Sequence, residues 1–487
     1  MNKKLSVKRH QNYINGEWAP PEGGDYYTTH NPAHPRKPVG EFPASGISDM
    51  DAALEAASAA QEKWSGTPGP QRSALLLRFA DLLEKSKQEL GHIITLEMGK
   101  ALAESVGEVG RAVAETRFMA GEACRPTGEV FPSEKPGINC RTVREPIGVI
   151  ASITPWNFPV VSPVRKIAPA LAYGNTMVCK PASQTPWCCV FMMSLLQEAG
   201  IPPGVINLVL GQGASVGDAL VNDPRVKGIS FTGSSGVGTQ LYESAARRLA
   251  AVQLELGGKN PALVLECDDL EGAAREIVSA AFLCSGQRCT ALSRVVVLEP
   301  QADQLVRLMT QQIERIRVGD GLDAHTTMGP LATAGQFRTV ERYVQSAMDE
   351  GASLITGGKA LTSAPESEGF YYAPTLFDQV SSHSSIAKEE VFGPVLPVIR
   401  VPTTEEAIAV ANDTIYGLAA SVFTQNPRIA ADCTRQIDTG IVHLNHGTAS
   451  QAHIPFGGRK SSGQGAFSIG ATSRDFFTSI KTVYDKW

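Results

Sequence analysis

The chain has 487 residues, 43% of them hydrophobic and 19% charged, a length that suggests about two to four packed domains. Lys plus Arg is 44 and Asp plus Glu is 49, for a net charge of -5. With no basic stripe, that balance argues against nucleic acid as a partner. No run of about 18 apolar residues occurs, so no membrane span is expected, and the basic start MNKKLSVKRH lacks a following apolar segment of signal-peptide length. The nine cysteines form no CxxC pair and no Cys/His cluster of zinc spacing, so no metal is expected. Reduced, mostly buried thiols in a cytoplasmic enzyme are the default expectation.

Taken in order, the stretch from Asp49 to Gly121 has apolar residues at three- and four-residue spacing and reads as helical. TVREPIGVIASITPWNFP reads as a buried strand feeding a proline-bracketed loop. An alternation follows, with helices at 166–172, 187–199, 216–222 and 236–249 and strands at 176–179, 205–209 and 228–231. It predicts a parallel sheet covered by helices on both faces. A second alternation starts at Pro261, with strands ALVLE, SRVVVLE, ASLITGG, SVFT and GIVHLN and helices at 305–316, 339–350 and 405–412. Residues 476–484 read as a terminal strand, with 129–143 as its partner.

Five short motifs could carry chemistry. In GQRCTA, Cys289 follows a helical pattern and precedes small residues; a nucleophile needs exposure, a lowered pKa and a base, and a lone cysteine is more often simply buried. Cys284 serves as the structural control. In LELGGKNP, Glu255 ends a strand-like run at a Gly-forced corner, where a carboxylate is either a general base or merely solvated. In TPWNFP, Asn157 could donate its amide to an oxyanion or cap the loop. In VCKPAS, Lys180 lies at the carboxyl end of a strand, where nucleotides bind in open parallel sheets. In SFTGSSGVG, a Gly/Ser loop opens a helix that could receive a phosphate, although neither Gly233-x-x-Gly236-x-Gly238 nor Gly211-x-Gly213 matches GxGxxG.

TPWNFP, KPAS, FTGSSGVG, LELGGKNP, GQRCTA, EEVFGP and PFGGRKSSG, in this order, resemble the motif series of the aldehyde dehydrogenase superfamily, from YINGEW to KTVY. The resemblance implies an α/β fold of that type, with a doubly wound NAD(P)-binding domain (1–128 and 148–256) and an α/β catalytic domain (257–456). A small β extension (129–147 and 457–487) would join subunits into a homodimer or homotetramer. By the same resemblance, Cys289 attacks the aldehyde carbon, Asn157 and the Cys289 N–H hold the oxyanion, Glu255 activates the deacylating water and Lys166 lies beside it. NAD or NADP would rest on Thr154, Pro155, Trp156, Lys180, Ser183, Gly213, Phe231, Thr232, Gly233, Ser234, Val237, Leu256, Glu390 and Phe392. Many NAD-using members carry Glu where this chain has Ser183, so NADP is expected to be accepted.

The chain departs from the family after PFGGRKSSG. It continues Gln464-Gly465-Ala466-Phe467, without the glutamate that in many members pairs with the lysine matching Lys166. For the substrate, Phe158 and Phe456 are expected along the aldehyde channel, and Arg165 and Arg288 either face it or make structural ion pairs and backbone contacts; His446 and His453, on the loop before PFGG, are not counted among the channel residues. The motifs are similar to those of succinate-semialdehyde and α-ketoglutarate-semialdehyde dehydrogenases, so an anionic semialdehyde is expected, against a neutral or aromatic aldehyde. A cysteine hydrolase would need a histidine paired with Cys289, a CoA-acylating relative usually lacks the glutamate, and a non-catalytic binding protein would be expected to lose Cys289 or Glu255.

Overall fold

The computed structural model describes residues 7–125, 128–212, 214–362 and 368–487. The helical region resolves into Ile47–Ser65, Gly69–Lys85, Lys87–Met98 and Leu102–Glu122. Ahead of it lies an antiparallel hairpin, Tyr26–Asn31 with His34–Pro43, which the sequence reading missed. Three prolines in its second strand, Pro35, Pro38 and Pro43, hide the strand signal, because proline is rare inside sheets.

The first alternation forms an eight-stranded sheet. At its centre, Ile206–Leu208, Thr176–Lys180, Val149–Ile153, Val226–Thr232 and Ala251–Glu255 run parallel. Their apolar runs are buried because helices cover both faces. Ile153 lies opposite both Lys180 and Phe231, and Thr232 lies opposite Glu255. The carboxyl ends of four strands therefore form one edge.

The second alternation forms a seven-stranded sheet in the order Ser353–Thr356, Thr375–Asp378, Val395–Val401, Leu292–Leu298, Asn260–Val264, Ala419–Phe423, Ile441–Leu444. A third sheet pairs Thr478–Asp485 with Asn139–Pro146 and adds Val130–Phe131. Segment 457–477 stays out of that extension. Its strand Gly463–Gln464 joins the first sheet, antiparallel to Ala251–Glu255.

Several boundaries move for local reasons. Pro300 at the first turn starts one helix early, giving Glu299–Ile313, and the Thr333 hydroxyl caps another at Ala334–Asp349. Phe476 and Phe477 belong to a short helix, Arg474–Phe477, rather than to the terminal strand. Their rings meet edge to face at 4.7 Å and are buried in the core of the first sheet. Among the described residues, no helix is long and apolar enough to cross a membrane.

Candidate active site

Cys289 sits on a loop whose shape is imposed from several sides. After the helix Leu270–Phe282, Cys284 and Ser285 both take φ 56° and Gly286 takes φ 70°. A Cβ on Gly286 would lie 2.2 Å from the Gly393 carbonyl oxygen, so only glycine fits. Ser285 donates to the Gly329 carbonyl at 2.7 Å. Gln287 donates to the Cys284 carbonyl at 3.1 Å and accepts from the Ala332 N–H at 2.9 Å. Asn260 donates to the carbonyls of Cys289 at 2.7 Å and Ala291 at 2.8 Å, and accepts the Ala419 N–H at 2.9 Å. These bonds fix the backbone and leave the Cys289 thiol half-buried, facing a cavity of about 500 Å³.

Burial pushes the Cys289 thiol up to about 11; the Arg165 charge opposes that rise and the Glu255 and Glu390 carboxylates reinforce it. Cys284, buried outside the cavity lining, is pushed up to about 12. At neutral pH the resting Cys289 is therefore a thiol, and a nucleophilic role needs a base beside it.

Asn157 is buried and faces the same cavity. Its Nδ2 donates to the Gln287 carbonyl at 2.8 Å, which spends one of its two amide hydrogens and leaves the other. Behind it stands a buried ion pair that the sequence reading did not find. The Lys100 ammonium donates to Glu108 Oε2 and to the Asn157 carbonyl, both at 2.7 Å, over the Phe158 ring at 4.1 Å. Glu108 Oε1 accepts the N–H groups of Val160 at 2.8 Å and Val161 at 3.0 Å, at the start of the helix Val161–Ala172. One carboxylate thus ties the Asn157 loop to the next helix.

Glu255 ends its strand inside the cavity. Ser468 donates to its Oε1 at 3.0 Å, while Oε2 is buried with no hydrogen-bond partner. Burial raises its carboxyl above the ordinary range, and the Lys166 charge opposes that rise. Lys166 is lowered by burial in turn. It donates to Thr232 Oγ1 at 2.9 Å and Ser230 Oγ at 3.1 Å, and the Ser230 hydroxyl donates to Gln253 Oε1 at 2.9 Å. Gln253 donates to the Ala466 carbonyl at 3.2 Å. Lys166 is therefore bonded to two neutral hydroxyls, with Gln253 behind Ser230, and the Glu255 carboxylate is the negative charge that acts on it. Ser468 and Gln253 lie in unremarkable sequence, and Ser468 is brought in by its paired backbone bonds to Phe456 and by the pairing of Gly463–Gln464 with the Glu255 strand.

Of the expected cofactor residues, Pro155, Trp156, Thr232, Gly233, Ser234, Leu256, Glu390 and Phe392 line the cavity. Trp156 and Phe392 meet edge to face at 5.5 Å. Glu390 accepts the Gly258 N–H at 2.9 Å and is pushed up to about 7 by burial. Thr154, Lys180, Ser183, Phe231 and Val237 are not in that lining. Thr154 and Lys180 sit at adjacent strand ends, the Thr154 N–H donating to the Lys180 carbonyl at 3.3 Å. Phe231 is buried beneath the next loop, where a Cβ on Gly233 would meet its ring at 2.4 Å. Val237 is exposed in the first turn of the helix Ser235–Ala246, which Ser234 caps. Gly213 lies outside the described residues.

This set fits a dinucleotide. A helix N-terminus at Ser235 suits a pyrophosphate, and Glu390 presents a carboxylate for hydroxyl groups. The ammonium of Lys180 and hydroxyl of Ser183 stand at a strand end with no carboxylate at position 183.

The remaining wall is cationic and aromatic. Arg165, Arg288, Phe158 and Phe456 all line it, joined by Arg111, Thr448 and Ser450, which the sequence reading did not single out. Arg165 is clamped to both oxygens of Glu115 at 3.0–3.2 Å and lies 4.9 Å above the Phe456 ring. Although burial alone would lower it, the Glu115 carboxylate raises the Arg165 guanidinium above its ordinary value. Arg288 reaches Thr290 Oγ1 and the Thr448 carbonyl at 3.4 Å. His446 and His453 are not in the lining; the His446 ring contacts the Gly447 carbonyl at 2.6 Å and His453 is exposed.

The architecture and cavity define an α/β protein with two large sheets and a cysteine facing the cavity that the carboxyl ends of the first sheet enter. The model of the aldehyde dehydrogenase family matches residues 18–483, and the chain belongs to that family. Its sequence is 41% identical to an α-ketoglutaric semialdehyde dehydrogenase from Bacillus subtilis, covering 98% of each chain. An NADP-dependent enzyme from E. coli has a similar structure, with a TM-score of 0.96, 35% identity, and coverage of 99% of this chain and 98% of that one. A betaine aldehyde dehydrogenase from Staphylococcus aureus in complex with NAD+ has a TM-score of 0.96 at 32% identity, covering 98% of this chain and 95% of that one.

Proposed function

We propose that the protein oxidises an anionic semialdehyde, of the α-ketoglutarate or succinate semialdehyde type, to the carboxylic acid with NAD or NADP. The observation that carries this reading is the convergence of Cys289, Asn157, Glu255 and an arginine-rich wall on one cavity. Glu255 is the acceptor for the Cys289 proton, and the thiolate adds to the aldehyde carbon to give a thiohemiacetal. The free Asn157 amide hydrogen and the Cys289 N–H stabilise its oxyanion, a contribution of about 2.7–4 kcal/mol per donor. When bound, NAD or NADP supplies a hydride acceptor. Cys289 then carries a thioester, and Glu255, which has first released the thiol proton to solvent, takes the proton of the water that hydrolyses it. Lys166 steadies the Glu255 charge and donates to Thr232.

For the nucleotide, Ser234, Glu390 and Phe392 would hold the pyrophosphate and ribose side, and Lys180 with Ser183 the adenosine ribose. NADP is accepted because Ser183 puts no negative charge against a 2′-phosphate. A homodimer or homotetramer is supported by the extension sheet, on which Val130 is 85%, Ile480 60% and Tyr484 72% exposed. A cytoplasmic location is supported by the free thiols. The test is turnover of carboxylated and uncharged aldehydes with each nucleotide. An enzyme of this kind prefers the carboxylated series, and indifference to the carboxylate sinks the substrate assignment.

A further inference from the structure

The Glu255 carboxylate is held on one side only. Its Oε1 accepts the Ser468 hydroxyl at 3.0 Å, whereas Oε2 is buried without a hydrogen-bond partner. The titratable groups that face Glu255 are Lys166 and Arg165, from the helix Val161–Ala172, and the Cys289 thiol from the opposite loop. Among the described residues, none of the three bonds to it. Lys166 donates to Ser230 and Thr232, and Arg165 donates to Glu115. The side chain that fixes Glu255 is therefore Ser468.

Ser468 is itself fixed from both sides. It is 3% exposed and exchanges two backbone bonds with Phe456, each at 2.8 Å. Ahead of it, Gly463–Gln464 pairs with Leu254 and Glu255, and the Ser462 carbonyl accepts the Leu256 N–H at 2.9 Å. Gly465 takes φ 91°, and a Cβ there would lie 2.1 Å from the Val252 carbonyl oxygen, so this segment lies directly on the Glu255 strand. Behind it, buried Ile469 takes φ 61° and ψ 159°. For a β-branched residue that is a strained backbone, which persists only where the surroundings impose it and is commonest at functional sites. Here they do impose it: the side chain packs with Leu418 and Phe456, Cys289 lies against that cluster, and the Ile469 carbonyl accepts the Thr472 hydroxyl at 3.0 Å.

The Ser468 hydroxyl has one hydrogen and two acceptors in reach, because the Phe456 carbonyl lies 3.2 Å from its Oγ. While Glu255 is charged, the hydrogen points to Oε1 and makes a charge-assisted bond. Once Oε2 carries a proton, the hydrogen can turn to the Phe456 carbonyl and stay satisfied. Ser468 thus favours the carboxylate form without hindering its protonation. Resting on the general-base role given to Glu255 above, we infer that Ser468 is the positioning residue for that base, pinning Oε1 so that Oε2 is the oxygen that receives protons.

The test is the pH profile of kcat, with a carboxylated aldehyde and saturating NAD or NADP, for wild type, S468A, E255Q and the double variant. S468A should lower kcat about tenfold or more at neutral pH. Loss of a donor to the charged form raises the Glu255 carboxyl, so the acid limb of the profile should move about one unit to higher pH. In the E255Q background the same substitution should change the residual kcat by less than about twofold, because Ser468 acts through Glu255. Retention of the wild-type acid limb in S468A overturns the inference, and so does an equal loss in both backgrounds, which would mark a purely structural role. An E255Q variant as active as wild type, or a wild type that reduces neither nucleotide, overturns the general-base reading itself.

Discussion

The buried pair Lys100–Glu108 offers a test of how the Asn157 loop is held. Both side chains are 1% exposed, the ions touch at 2.7 Å, and the Glu108 carboxylate also accepts two backbone N–H groups. Lys100→Met leaves that carboxylate buried without its ion-pair partner, and breaking such a pair typically costs about 3–5 kcal/mol. Glu108→Gln strands the ammonium instead, at a similar cost, while its amide oxygen can still accept from Val160. With both charges removed, only the hydrogen bonds and shape are lost, so the double variant should be at least about 2 kcal/mol less destabilised than the sum of the singles. Equilibrium denaturant unfolding of the four proteins measures the cycle. Because Lys100 also holds the Asn157 carbonyl, K100M should lower kcat beyond what its folded fraction explains. Single variants that each cost under about 1 kcal/mol, or strict additivity, would refute the reasoning.

Other outcomes follow from the same geometry. Asn157→Ala removes one oxyanion donor, and kcat should fall about 10²- to 10³-fold, with thiol alkylation of Cys289 retained; a fall below tenfold would contradict the assignment. Ser183→Glu places a carboxylate near Lys180 and should lower kcat/KM for NADP relative to NAD by at least about tenfold, measured by steady-state kinetics with each nucleotide. Glu97, buried and raised to about 7, takes up its proton more readily in the folded than in the unfolded chain. Its contribution to stability is therefore greatest below the ordinary glutamate pKa and declines as pH rises toward 7. The stability difference between wild type and E97Q should shift against wild type over that window, and a pH-independent difference in unfolding midpoint would contradict it.

How much of this was readable depends on whether a signal is local. Glu255 ends a strand and Cys289 and Asn157 lie on loops, all three beside Gly- or Pro-marked turns, so their motifs exposed them, and the strand–helix alternation exposed the first sheet. Arg111 and Glu108 lie in a helix whose apolar spacing reads as core packing, and nothing in EVGRAVAETRF marks which polar residue turns inward. Lys100 follows a helix that ends at Gly99, with φ 90°, and reads as an ordinary C-terminal cation. Asn260 and Ser468 act through contacts made only when distant strands pair. Arg165 was legible as a channel residue, but its clamp by Glu115, fifty positions earlier, was not.

The central claim is that Cys289 is the nucleophile of a nucleotide-dependent aldehyde oxidation. The most direct measurement follows the absorbance of reduced nicotinamide with wild type and C289A, using NAD and NADP and a carboxylated aldehyde. Trapping and mass analysis of the acylated chain would run alongside. The account predicts turnover and an acyl adduct on Cys289 in wild type, with neither in C289A. Equal turnover by C289A, or an adduct on another residue, would contradict it.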